Sequence, residues 1–364
     1  MDKIVGIAHT IWSPFFVSTM KPTFRSRSEG GIQTIGKLNL ISMKQSLHSL
    51  LWKCLFVLAV TLCIYKPGYS QDEEKNNTEL GFTVGPMVFL GDLGGHAGTG
   101  TTFIKDYNMN TTKLAVGAYG AVYPTQWLGF RFSLNYGNIE GFDADIKPHG
   151  GDEDSRLARN LDFRSAIVEG TVMAEFYPTV FLEDDPDDVT GRLRPYGVLG
   201  LGVFHFNPQG SYIDPSTGAT TWVDLRPLHT EGEGLPGYGK EYTLTQMNIP
   251  MGVGVKYFFS ENVNISFEIV HRKTFTDYID DVSGKYIDPS LFYKYLPPAQ
   301  AAIAVAISNK SVDGYATPNY TPGAKRGDPN NNDAYFTAQF KLGIRLNNNS
   351  NRWRNSTHCP LLRF

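Results

Sequence analysis

The chain has 364 residues and a formal net charge of −3, but the charge is uneven: residues 1–70 hold eight Lys or Arg against two Asp or Glu. The remainder holds 25 against 34, a balance of −9, which argues against nucleic acid as a partner. Of three cysteines only Cys359 lies beyond residue 70, so an internal disulfide framework is excluded there.

Residues 1–42 show no sustained apolar periodicity. The expectation is that they are unstructured and that Met43 is the true initiator. Residues 43–70 read as a secretory signal peptide: Lys44 and Lys53 precede the apolar stretch Cys54 to Tyr65, and Gly68-Tyr69-Ser70 supplies small residues before Gln71. That stretch is shorter than the ~20 residues of a membrane-spanning helix. Leu62 before Cys63 does not suit lipid-anchor processing.

Eight strand-like runs follow, at about 79–90, 111–124, 127–136, 162–178, 194–206, 246–259, 263–273 and 334–346. In the third, Leu128, Phe130, Phe132, Leu134 and Tyr136 alternate with Gly129, Arg131, Ser133 and Asn135. This is the period of two that gives a strand one apolar and one polar face. The seventh and eighth runs alternate in the same way. Connections after the even runs are shorter, such as Pro124-Thr125-Gln126 and Ser260-Glu261-Asn262, and those after the odd runs are long.

An even number of antiparallel strands with short turns at one end and long loops at the other predicts an all-β fold: an eight-stranded transmembrane β-barrel over residues 71–346. The short turns, both mature termini and a tail at 347–364 are expected in the periplasm, and the long loops outside the cell. The apolar faces then meet lipid, and Arg131, Glu169, Glu175, Lys256, Glu268, Lys341 and Arg345 face the interior. A barrel of eight strands is just wide enough to be filled by such side chains, so the charges are expected to pair and to block an open channel. The strand glycines, Gly197, Gly200, Gly202, Gly252 and Gly254, are read as aids to bending and close packing, not as a nucleotide site.

Outside the strands, Thr179 to Leu193 is the longest of the shorter connections and contains Asp184, Asp185, Asp187 and Asp188. With Arg352 and Arg354 of the tail, these aspartates are candidates for docking a periplasmic partner. In the loop after the seventh strand, Asp277, Asp280 and Asp281 offer oxygen ligands of the kind calcium takes, although their spacing is not that of an EF-hand. More commonly such carboxylates cap a turn or pair with neighbours such as Arg272 and Lys273. A hydrolase reading of His271 with Ser266 or Ser283 lacks a nucleophile motif, and an odd separation puts Ser266 and His271 on opposite faces of one strand. No catalytic residue and no cofactor is expected. The alanine-rich stretch Pro297 to Lys310 predicts a short helix in the last loop.

Two segments carry a family likeness. Phe89-Leu90-Gly91-Asp92-Leu93-Gly94-Gly95 and Thr274-Phe275-Thr276-Asp277-Tyr278-Ile279-Asp280-Asp281-Val282-Ser283 resemble the PorG-like outer-membrane barrels of Bacteroidetes. The resemblance implies a non-enzymatic component of the type IX secretion system, associated with periplasmic ring proteins of GldK-like and GldN-like type. The alternative is an adhesin or ligand-binding barrel acting through Tyr212, Trp222, Tyr238, Tyr286, Phe292, Tyr293 and Tyr295 of its long loops.

Overall fold

The computed structural model describes residues 77–94, 111–146, 152–186, 188–311 and 321–346. The proposed initiator and signal peptide, Gly95, Asp187 and the tail with Arg352 and Arg354 lie outside the described residues. Eight long strands are observed: β1 (Asn77–Leu90), β2 (Lys113–Tyr123), β3 (Leu128–Phe142), β4 (Asp162–Phe176), β5 (Leu193–His205), β8 (Thr245–Phe258), β9 (Val263–Thr274) and β10 (Ala334–Leu346). Between β5 and β8 a short hairpin, β6 (Gln209–Ile213) and β7 (Thr220–Asp224), interrupts the long loop. Helix α1 (Asp152–Arg159) precedes β4, and α2 (Ser290–Tyr295) and α3 (Pro298–Ser308) lie between β9 and β10.

Every pairing is antiparallel, and the sheet closes on itself because β3, at one end of the order β3-β2-β1-β10-β9-β8-β5-β4, also pairs with β4. Closure leaves no open edge among the eight, as a sheet surrounded by hydrocarbon requires. No helix among the described residues is long and apolar enough to cross a membrane. The strands are long enough to do so, since ~9–11 tilted residues suffice.

Register converts the sequence alternation into two surfaces. Across β1 and β10, Leu80 faces Ile344, Phe82 faces Leu342 and Val84 faces Phe340, all pointing outward, while Glu79 faces Arg345 on the inside. A one-residue slip would exchange those surfaces. The outward band also includes Val253 and Leu199; Phe82 is 71% and Val253 67% exposed. A continuous belt of this kind far exceeds the apolar patches of water-soluble monomers, and lipid is the solvent it suits.

The third strand runs six residues beyond the predicted end, because Gly137 to Phe142 continue to pair with Asp162 to Ile167. This extension of β3 and β4 rises into the crown formed by the long loops. There Arg164 pairs with Gln209 and attaches the β6–β7 hairpin to β4. The predicted helix forms as α3 and buries Ala301, Ala304 and Ile307 in the crown's apolar core.

Candidate functional site

Three regions concentrate chemistry: the barrel lumen, the junction between crown and barrel, and the β4–β5 turn. The seven predicted interior charges all lie on the inward face and are buried. They form a network around four glutamates. Glu79 receives Lys256 at 3.2 Å, Arg345 at 3.8 Å and the Tyr119 hydroxyl at 2.7 Å. Glu169 receives Arg272 at 3.2 Å and the Tyr335 hydroxyl at 3.0 Å. Arg131 lies between Glu175 at 2.7 Å and Glu268 at 2.9 Å, and Lys341 bridges the same two at 3.4 and 3.3 Å. Tyr123 and Tyr177 donate to Glu175, and Tyr196 donates to Glu268.

Each of these four glutamates thus has at least one cation and one tyrosine hydroxyl. Burial of charge is tolerable on these terms, because Coulomb attraction and hydrogen bonds together offset the lost hydration. These side chains occupy the interior of a barrel that, at eight strands, is just wide enough to be filled by them.

Glu79, Arg272 and the tyrosines were not among the predicted interior set. Glu79 was legible, since it shares the phase of Gly81 and Thr83 opposite Leu80, Phe82 and Val84. The tyrosines run against the apolar-outward reading, and neighbouring glycines make room for them. A Cβ at Gly81 or Gly254 would collide with the Tyr119 or Tyr196 ring respectively.

At the junction the two motif segments meet. Asp280 is fully buried and accepts hydrogen bonds from the amides of Leu93 and Val282, both at 3.0 Å. Asp333, at the foot of β10, accepts the Ile279 amide at 2.8 Å, and Asp92 accepts the Asp328 amide at 2.6 Å. Arg159 of α1 adds a clamp, donating to Asp143 and to the backbone carbonyls of Asp92 and Arg326. Above it runs a chain of aromatic contacts through Tyr335, Phe204, Phe206, Tyr242 and Tyr278. Thr276 accepts the Tyr278 amide through its hydroxyl, and Phe275 is exposed.

The three aspartates considered as metal ligands do not form one site. Asp281 has a φ of 64°, which turns it away from Asp277 and Asp280. Its carboxylate accepts the hydroxyls of Thr230 at 2.5 Å and Tyr242 at 2.7 Å, with Arg326 at 4.0 Å. Burial raises its pKa to about 6, against the lowering effect of Arg326 and those hydroxyls. Among the described residues no three His, Cys, Asp or Glu side chains are placed to hold a metal ion. Ser266 is buried in the lumen, Ser283 in the crown, and His271 is half-buried on β9, so the hydrolase set is not assembled.

The β4–β5 turn is held from within. Arg194, almost fully buried, binds Glu183 and donates to the Pro186 carbonyl at 2.7 Å, while Arg192 binds Glu183 at 2.7 Å. Burial opposes ionisation of Glu183, but Arg194 and then Arg192 hold its carboxyl below the usual range. The turn presents Asp184, Asp185 and Asp188 at the surface beside Phe181 and Leu182, the latter 87% exposed.

No protein-family model matches the chain, and no curated protein matches it. Among solved structures it is similar to the outer membrane protein OprG from Pseudomonas aeruginosa, at 9% identity over 76% of this chain and 99% of that one, with a TM-score of 0.32. It is also similar to Ail, the attachment invasion locus protein of Yersinia pestis, at 8% identity over 74% and 97%, with a TM-score of 0.29. Neisserial surface protein A matches at 8% identity over 74% and 96%, again with a TM-score of 0.29. Likenesses this distant say nothing of function; the closed eight-stranded barrel rests on its own strand pairing.

Proposed function

We propose that the protein is a non-enzymatic outer-membrane barrel that serves as a docking subunit of a protein secretion apparatus of the type IX kind. Its termini and short turns then lie in the periplasm and its crown outside. The filled lumen supports this reading most strongly: with Arg131, Lys256, Lys341 and their glutamates filling it, solute passage is not its work. Function falls to the two ends. At the short-turn end, the clamped 179–193 segment offers carboxylates and an exposed apolar pair on a rigid base, suited to a partner with basic and apolar groups.

Crosslinking in intact cells from a reactive group placed at Asp184 tests the reading. Capture of GldK-like or GldN-like ring proteins is the expected result. Recovery of the folded barrel with neither attached would sink it. The adhesin reading is favoured by Tyr238 and Tyr293, exposed on the crown. Replacing Tyr238 and Tyr293 together by alanine would impair surface binding under that reading and leave secretion intact under the first.

A further inference from the structure

The crown–barrel junction holds a group of acids that, among the described residues, have no cation at salt-bridge distance. Asp277, Asp280 and Asp333 are each at least nine-tenths buried, and among the described residues none of them makes an ion pair. Neither oxygen of Asp277 has a hydrogen bond of ordinary geometry, although Ser283 is near enough to affect its titration. One oxygen of Asp333 is also unbonded and lies against Gly91, where a Cβ would strike it. The charged groups around this set are Asp92 after β1, Arg159 of α1, Glu231 in the β7–β8 loop, and Lys325 and Asp328 before β10. Arg159 is engaged by Asp143, and Arg326 by Glu231.

Buried carboxylates in this position repel one another, and a proton on one or more of them removes the conflict. Their bonded oxygens hold the amides of Leu93, Ile279 and Val282, which join the end of β1, the motif loop and the foot of β10. We propose that Asp92, Asp277, Asp280 and Asp333 form a proton-dependent latch that fastens the crown to the barrel rim at acid and neutral pH and loosens it in alkali.

The titration behaviour agrees in sign. Burial, then Asp92, Glu231 and Asp328, pushes the Asp277 carboxyl up to about 8. Burial, then neighbouring aspartates, raises Asp280 and Asp333 well above the ordinary range, and burial raises Asp92. A carboxyl with a raised folded-state pKa binds more protons folded than unfolded. Its contribution is complete below its unfolded pKa and is lost as pH rises through the folded value, here toward about 8 for Asp277.

Hydrogen exchange on the mature barrel in detergent micelles tests this, read at the amides of Leu93, Ile279 and Val282 and corrected for the intrinsic pH dependence of exchange. Protection should fall roughly tenfold or more between about pH 6.5 and pH 9 at these amides, but not at Val270 in the barrel wall. Asp277→Asn should flatten that fall. The wild-type profile decides the matter even if the variant fails to fold. Protection independent of pH would overturn the latch, and so would its restoration at about pH 9 by roughly millimolar calcium, which would mark a cation site instead. The result does not depend on the docking role, because the readout is local to the crown.

Discussion

The lumen and the crown junction bury carboxylates by opposite means. Inside the barrel, Glu175 and Glu268 share Arg131 and Lys341, so each negative charge has a fixed positive partner. At the junction, Asp277, Asp280 and Asp333 have one another, and no cation among the described residues makes an ion pair with them. The difference teaches that burial alone does not set the behaviour of an acid. A lumen glutamate has its counter-charge at contact distance, whereas the junction aspartates face carboxylates like themselves.

Removing a lumen cation is the largest expected break in this comparison. Arg131→Ala leaves Glu268 with Lys341 alone and Glu175 with Lys341 and the more distant Lys256, and should cost about 3–5 kcal/mol in urea unfolding from micelles. A loss below about 1 kcal/mol would mean that the network is not what holds the lumen. Arg326→Ala sharpens the contrast within the crown, since Asp281 and Glu231 would join the unpaired acids. It should cost about 2–4 kcal/mol and steepen the alkaline loss of crown protection, measured by denaturant midpoint at two pH values. The smallest effect belongs to the exposed Arg226–Glu241 pair, where alanine at either position should change stability by no more than about 1 kcal/mol.

Much of the barrel was legible because its signal is local. Phe130, Phe132 and Leu134 lie on the lipid face, and Arg131 between them on the lumen face, for no reason beyond the pleat of the backbone. The hairpin of β6 and β7 was not legible, since Gln209 to Ile213 and Thr220 to Asp224 are too short and mixed to show a period. Helix α1 is polar over most of its length and gave no apolar stripe to find. At the junction, the identity of the motif residues was readable, but not that Asp280 would accept the amide of Leu93, 187 positions away in the chain.

The alternation of residues therefore determined by itself the strands, their two faces and the unequal ends, because these depend on neighbours along one backbone. Tertiary structure alone decided the charge partners. Glu79 meets Lys256 and Arg345, and Asp281 meets Tyr242, only when closure and register bring distant strands and loops to one place. Side-chain spacing within a strand holds no information about that meeting, and it is there that the lumen becomes a neutralised interior and the crown junction a cluster of like charges.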